Sequence, residues 1–293
     1  MKAAFLALML ASGAAAQTPD SLAGQIVVFS QDGHQVTLGD IVNAAAQADV
    51  VFLGEIHDDS LGHVVQSHLL RALHERYGRQ RPLLLGLEMF ETDVQGVLDE
   101  YEAGLIRERD FLAASRPWGN YDPDYRRQVE FAIENAIPVV GTNAPKRYVS
   151  RVSREGSLDA GLTGIPDAGR ATMPAEIVPP SEPLAEKFRG LMGDMGGHGS
   201  MPGMPTVDGM LAAQNLRDAT MAWALHRAMD GLPEPLAIHL NGSFHSDGGL
   251  GIPEHLARIA PEARVLIVSA RPASGETPDF TAGDFVILTR ATP

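Results

Sequence analysis

Four short apolar runs in this sequence each end in a side chain suited to acid–base, ligand-binding or metal chemistry. Val51-Phe52-Leu53 leads into Gly54-Glu55-Ile56-His57, and Leu83-Leu84-Leu85 into Gly86-Leu87-Glu88. Val139-Val140 leads into Gly141-Thr142-Asn143, and the run holding Ile238 and Leu240 into Asn241-Gly242-Ser243-Phe244-His245. Wholly apolar runs of this length read as buried strands. In an open parallel sheet, ligand sites form beyond the carboxyl ends of the strands. Glu55, His57, Glu88, Asn143 and His245 are therefore expected to meet at one cleft. The glycine ahead of each fits a turn or the close approach of another backbone. Two carboxylates in a semi-buried cleft need a cation, an imidazolium or a shared proton. Arg217 is a candidate partner, because a helix over 208–229 puts Gln214, Arg217, Met221 and Leu225 on one face, polar toward its start. The plainer alternative is that each polar side chain only satisfies backbone groups at a strand end. It serves any one residue well and the set on one edge poorly.

A second constellation is Met192, Met195, His198, Met201 and Met204, a regular MxxMxxHxxMxxM string within thirteen residues. The glycines among them oppose a stable helix, so a core-facing stripe is a poor explanation. An extended chain with about three residues per turn would line all five on one edge. Thioether and imidazole together suit Cu(I), and His and Met also serve as axial ligands of haem iron. Five spaced soft ligands exceed what one haem needs, which favours copper for the string. The competing reading is methionine as adaptable filler in a lid.

The elements that would position these groups follow from hydrophobic periodicity. Ile26 to Phe29 and His34 to Leu38 read as a hairpin around Asp32-Gly33. Strands are expected at 50–53, 83–87, 137–140, 236–240, 265–268 and 285–288. Between them lie helical patterns at 61–77, capped by Ser60 and closed by Gly78, and at 94–103, 108–114, 124–135, 145–154, 208–229 and 253–259. His63, His68 and His74 share the first of these helices and read as packing residues. The alternation predicts an α/β fold, a mostly parallel central sheet with helices on both faces. Residues 156–205 interrupt it, rich in Gly, Pro and Met with little periodicity. They read as a flexible insertion with a short helix near 184–191.

The chain has 293 residues, 23 basic and 37 acidic, a formal net charge of −14. That excludes a general binder of nucleic acid or anionic membrane, since neutralising phosphates needs a basic surface. A hydrophobic fraction of 44% and a charged fraction of 20% describe a folded globular protein. Lys2, an apolar run from Ala3 to Ala11 and Ala14-Ala15-Ala16 read as a signal peptide over residues 1–16. The expected product is a single domain over 17–293, periplasmic or secreted, with no membrane span. With no Cys there is no lipid-anchoring thiol, disulfide or thiolate metal site. No Gly-x-Ser-x-Gly elbow marks a serine hydrolase.

Gly54-Glu55-Ile56-His57-Asp58, Gly86-Leu87-Glu88-Met89-Phe90, the Trp118–Pro123 stretch, Gly141-Thr142-Asn143-Ala144-Pro145, Gln214-x-x-Arg217-Asp218-x-x-Met221-Ala222 and Gly242-x-x-His245 occur in one order. The ordered set, over roughly residues 45–270, resembles the ChaN-like haem-binding, iron-regulated family of the Tiki/TraB/erythromycin-esterase superfamily. The resemblance implies an α/β fold, an exported or lipid-anchored product, and a part in haem or iron uptake beside a membrane transport component. It implies haem as ligand, held by Glu55, His57, Glu88, Asn143, Gln214, Arg217 and His245. Both a monomer and a homodimer sharing an open haem site are compatible with it. Hydrolases of the wider superfamily, some metal-dependent, resemble this chain in Glu55, His57, Glu88 and His245. Those four would be catalytic under that alternative, with a carboxylate as base. Tyrosine is a plausible haem ligand in the family, yet all five Tyr precede the insertion. A site built on the insertion would have to use His or Met. A binding protein is favoured over an enzyme, because a hydrolase has no evident need of the Met/His string.

Overall fold

The computed structural model describes residues 22–194 and 205–290. The signal-peptide segment 1–16 and Met195, His198, Met201 and Met204 lie outside the described residues.

Strands β1 (Ile26–Ser30), β2 (Gln35–Val36), β3 (Val50–Glu55), β4 (Leu83–Glu91), β5 (Val139–Asn143), β6 (Leu236–Gly242), β7 (Val265–Pro272) and β8 (Phe285–Thr289) form one eight-stranded sheet. Its order is β2-β1-β8-β7-β3-β6-β4-β5. From β8 to β5 every pairing is parallel, and at the other edge β1 runs antiparallel to both of its neighbours, β2 and β8. The expected mostly parallel α/β sheet is what the chain forms. β6, late in sequence, inserts between β3 and β4, so the ends of these three strands lie side by side.

Helices α1 (Leu38–Ala44), α2 (Ser60–Tyr77), α3 (Gln95–Glu102), α4 (Glu108–Ser115) and α5 (Arg126–Glu134) belong to one layer. Their Val65, Leu69, Leu73, Leu98, Phe111 and Val129 pack on Val51, Leu53, Leu85, Leu87, Ile238 and Leu240 of the sheet. The opposite face, with Val50, Phe52, Leu84 and Ala237, is covered by Met221 and Leu225 of α10 (Val207–Met229) and by Ile252 and Leu256 of α11 (Ile252–Ile259). Successive side chains of a strand point to opposite faces. Glu55 therefore follows Val51 and Leu53 toward α2, and Glu88 follows Leu84 toward α10. Truncating a fully buried anchor such as Leu73 to Ala would cost roughly 2–5 kcal/mol.

Three local expectations are corrected. The second arm of the hairpin stops at Val36, because Thr37 starts α1 with a capping box: Thr37 N donates to Asp40 Oδ2 at 2.8 Å, and Asp40 N to Thr37 Oγ1 at 3.3 Å. Ser60 is the first residue of α2 rather than its cap; Asp59 precedes it, its carboxylate accepting from Thr289 Oγ1 at 2.6 Å. The segment read as aperiodic apart from a short helix near 184–191 carries that helix as α9 (Glu182–Asp194) and, unexpected, α7 (Leu158–Leu162) and α8 (Asp167–Arg170) after α6 (Lys146–Glu155). Leu158, Leu162 and Met173 pack with Val149 and Val152 of α6, and Leu184, Ala185 and Phe188 of α9 are buried, the latter two packed with Leu211. Helices of one turn leave no detectable period in the sequence. Met192, at the end of α9, packs on that last cluster.

Candidate functional site

The carboxyl ends of β3, β4 and β6 carry two buried carboxylates on opposite sides of the sheet, each enclosed by its own hydrogen-bond network. A third group, His57, stands between them.

Glu55, 2% exposed, closes β3. Its Oε2 accepts from Gln66 Nε2 at 2.7 Å and lies 3.4 Å from His63 Nδ1, both on α2. Its Oε1 accepts from the Tyr125 hydroxyl and lies 2.9 Å from His57 Nδ1. Tyr125 is delivered by a π-helical turn, Tyr121–Tyr125, that leads into α5. Burial raises the Glu55 carboxyl, but the bonds from His57 and His63 and the charge of His63 prevail and hold it at about 2. Burial lowers His63, and the facing Glu55 carboxylate outweighs it, taking the imidazole up to about 9. His63 also reaches the His57 carbonyl with Nε2 at 3.1 Å, so it grips both members of the Glu55–His57 pair.

On the other side Glu88 Oε2 accepts from the Gly242 N–H at 2.7 Å, and Oε1 lies 3.2 Å from His245 Nε2. His245 Nδ1 bonds Asp218 of α10, and the Gln214 amide lies 2.9 Å from the same nitrogen. Burial lowers the imidazole, but the charges of Glu88 and Asp218 take it up to about 10. Burial raises Glu88, and His245 brings it down to about 2. Burial pushes the Asp218 carboxyl up, and its second oxygen has no hydrogen-bond partner among the described residues. Asn143 donates from Nδ2 to the Glu88 carbonyl at 3.0 Å, and Arg217 Nη1 donates to Asn143 Oδ1 at 3.1 Å.

His57 differs from all of these. Its side chain is 46% exposed while that of its partner Glu55 is 1% exposed. Nδ1 is committed to Glu55, and Nε2 has no hydrogen-bond partner among the described residues. Burial lowers its pKa, but the Glu55 bond and the Glu88 charge leave it raised. The ring lies against Gly242, where a Cβ would come within 2.9 Å of its Cε1. Trp118 meets it edge-on, with centroids 4.7 Å apart. Trp118 also lines a cleft of about 860 Å³ together with Met89, Glu91, Arg116, Lys146 and Arg147. The rim can thus present one oriented imidazole nitrogen to a ligand, over a floor of fixed charges.

The five residues expected at one cleft fall into two networks on opposite faces of the sheet, Glu55 with His57 and Glu88 with Asn143 and His245, which adjoin where His57 lies across Gly242; Gln214 and Arg217 reach the second. Arg217 is not the cation that neutralises the carboxylates: it forms no salt bridge among the described residues, and His63 and His245 do that work. Four participants were not foreseen: His63, Gln66, Tyr125 and Asp218. The first two carried a signal, because they continue the buried stripe Leu70–Leu73–Tyr77 of α2 toward the strand end and turn it polar. Tyr125 gave no such sign. The expected glycine contacts are borne out beside Gly54 as well, where a Cβ would stand 3.0 Å from Ser243 Cα.

The profile of the family described as "haem-binding uptake, Tiki superfamily, ChaN" matches residues 41–256. Among solved structures, ChaN of Campylobacter jejuni with cofacially bound haem superposes with a TM-score of 0.70 at 17% identity, covering 92% of this chain and 98% of that one. The type III effector HopBA1 gives a TM-score of 0.46 at 12% identity, covering 87% of this chain and 94% of that one. An erythromycin esterase EreC variant in its open conformation gives 0.48 at 14% identity, covering 85% and 78%. No curated protein matches the chain by sequence. The profile spans most of the chain, and the chain belongs to the ChaN family of haem-binding uptake proteins within the Tiki superfamily.

Proposed function

We propose that this chain binds haem at the strand-end rim, with His57 as the iron ligand. The observation that carries this is the state of that imidazole: half-exposed, one nitrogen tied to a buried carboxylate, the other without a protein partner. A metal-ligating histidine usually donates its second N–H to a carboxylate or carbonyl, which fixes ring and tautomer. A bare cation asks for three or four protein ligands, and no such group of His, Asp or Glu gathers among the described residues. Haem brings its own equatorial nitrogens and asks the protein only for axial ligands, so the donor set fits it. Four of the five tyrosines fit less well: Tyr77, Tyr101 and Tyr125 spend their hydroxyls on protein acceptors, and Tyr121 is buried, while the partly buried Tyr148 sets its hydroxyl against Gly169 of α8. Glu88, Asn143, Gln214, Arg217 and His245 shape the floor beneath the ring.

No helix among the described residues is long and apolar enough to cross a membrane. The signal-like start of the sequence supports a periplasmic or secreted carrier that passes haem to a membrane transport component. An open rim would also suit a second copy facing the first. The test is an absorption titration with haemin. Wild type is expected to give a saturable Soret band, and His57→Ala to weaken binding at least about tenfold. Equal affinity in the two proteins would rule out His57 as ligand.

The Glu55–His57 pair favours one second reading, a hydrolase in which His57 takes a proton from water and Glu55 orients the ring. Ester or peptide turnover lost in Glu55→Gln with the fold intact would support it, and no turnover across a broad panel with metals supplied would remove it. We also infer from the sequence string that Met192, Met195, His198, Met201 and Met204 take Cu(I). A Met195, His198 and Met201 triple alanine variant should bind Cu(I) more weakly, and unchanged affinity would remove the string.

A further inference from the structure

A second pocket lies where α10 crosses β5, the last strand of the sheet. Its volume is about 400 Å³, within the range of small-molecule sites. Val140, Ala171, Trp223, Ala224 and Ala228 give it an apolar lining. Arg217, which bonds Asn143 at the strand-end rim, precedes the pocket's Arg227 by ten residues of α10, about 15 Å along the helix axis. The pocket is therefore separate from the rim.

Trp223 is half-buried, yet it joins none of the four hydrophobic clusters among the described residues. A large aromatic ring contributes chiefly by burying its area, and this one lines a cavity instead. Its neighbour is Arg227, whose Cζ lies 4.7 Å from the ring centroid. Arg227 has neither an ion pair nor a hydrogen bond among the described residues. Stacking uses the face of a guanidinium and leaves its N–H edge for an acceptor. The other polar side chains of the lining are committed within the protein. Gln95 donates from Nε2 to the Val139 carbonyl at 2.9 Å and accepts from the Gly141 N–H at 2.8 Å. Thr92 donates to the Thr172 carbonyl at 2.6 Å, and the Thr172 hydroxyl to the Gly169 carbonyl at 2.7 Å. One uncommitted cation thus stands at an apolar cavity, in a protein of net charge −14.

We propose that this pocket binds a small carboxylic acid with an apolar body, its carboxylate on Arg227 and its body against Trp223 and the alanines of α10. The assignment does not depend on haem. A carboxylate bonds a guanidinium more strongly than a neutral oxygen does, often through two parallel N–H groups. The apolar body gains in proportion to the area it takes from water.

The test titrates the full chain with octanoate and with octanol, which has the same carbon chain and no charge. The chain has two tryptophans, so heteronuclear NMR spectra show two indole N–H signals, assigned with Trp118→Phe. Octanoate should shift the Trp223 signal saturably and leave that of Trp118 in place. Wild type should prefer octanoate to octanol by roughly two- to fivefold at low salt, the worth of one exposed ion pair, and Arg227→Gln should erase that preference. Ala171 is exposed with a helical backbone, so Ala171→Leu should fold. Its larger side chain crowds the pocket and should weaken both ligands at least about fivefold. No saturable shift at Trp223, a shift at Trp118 in its place, or unchanged binding in Ala171→Leu would overturn the site. Equal affinity for acid and alcohol in wild type, or an intact preference in Arg227→Gln, would overturn the acid as its ligand.

Discussion

His57 and Glu55 lie two residues apart, with Nδ1 2.9 Å from Oε1, yet one side chain is half in solvent and the other fully buried. The strand end makes this difference. Glu55 is the last residue of β3 and turns into the layer under α2, whereas His57 follows the turn outward and lies across Gly242 of the neighbouring strand.

That pairing sets a pH dependence. Glu55 and Glu88 raise the pKa of His57 above 6.5, so its protonated form persists to higher pH than in a free imidazole. Iron needs the neutral ring, so proton and metal compete for it. Haem affinity should fall as pH drops through a midpoint above 6.5, and Glu55→Gln should move that midpoint down. Soret titrations over a pH series measure both. A midpoint that stays put in Glu55→Gln would contradict the link.

The buried pairs govern stability in the opposite pH directions. His245 and His63 sit at about 10 and 9 in the folded protein against 6.5 in a free chain. Their contribution is complete below 6.5 and is lost as pH rises toward 9–10. Glu88 and Glu55 sit at about 2 against 4.5, so theirs is complete above 4.5 and lost as pH falls toward 2. Thermal unfolding should show a Tm plateau between those limits and a decline on both sides. A Tm that climbs from pH 6.5 to 9 would contradict the assignment.

Removing His245 leaves Glu88 and Asp218 buried with no imidazolium between them. His245→Ala should cost about 3–5 kcal/mol by denaturant unfolding, the range for breaking a buried pair by deleting one member. It should also flatten part of the alkaline decline in Tm. A cost under about 1 kcal/mol would mean that the carboxylates find another counter-charge or a proton.

Gly242→Ala tests the seat of His57. The added Cβ would stand 2.9 Å from Cε1 and 3.0 Å from Nε2, so the ring must swing away. Haem affinity should fall as far as in His57→Ala, at a stability cost of about 1–3 kcal/mol. Unaltered haem binding would show that the ring position does not matter.

Much of this was legible in the sequence. Buried parallel strands announce themselves as unbroken apolar runs, and the polar residue at the end of each run gave the rim: Glu55, Glu88, Asn143 and His245. What stayed hidden depends on contacts across the sheet faces. His63 and Gln66 continue the buried stripe of α2, but only the position of β3 shows that Glu55 lies beneath them. Tyr125 reaches Glu55 across seventy residues of chain through a π-helical turn that no periodicity marks. Asp218 was visible beside Arg217, and the arginine drew attention as the stronger cation. Burial decided otherwise, by placing the carboxylate against His245 and leaving the guanidinium on Asn143.

The most direct test of His57 as the haem ligand is chemical rescue. His57→Gly protein is titrated with haemin, with and without free imidazole, and the Soret spectrum is followed. Loss of the wild-type spectrum in the variant and its return on adding imidazole is the expected result. A wild-type spectrum and affinity in His57→Gly without imidazole would contradict it.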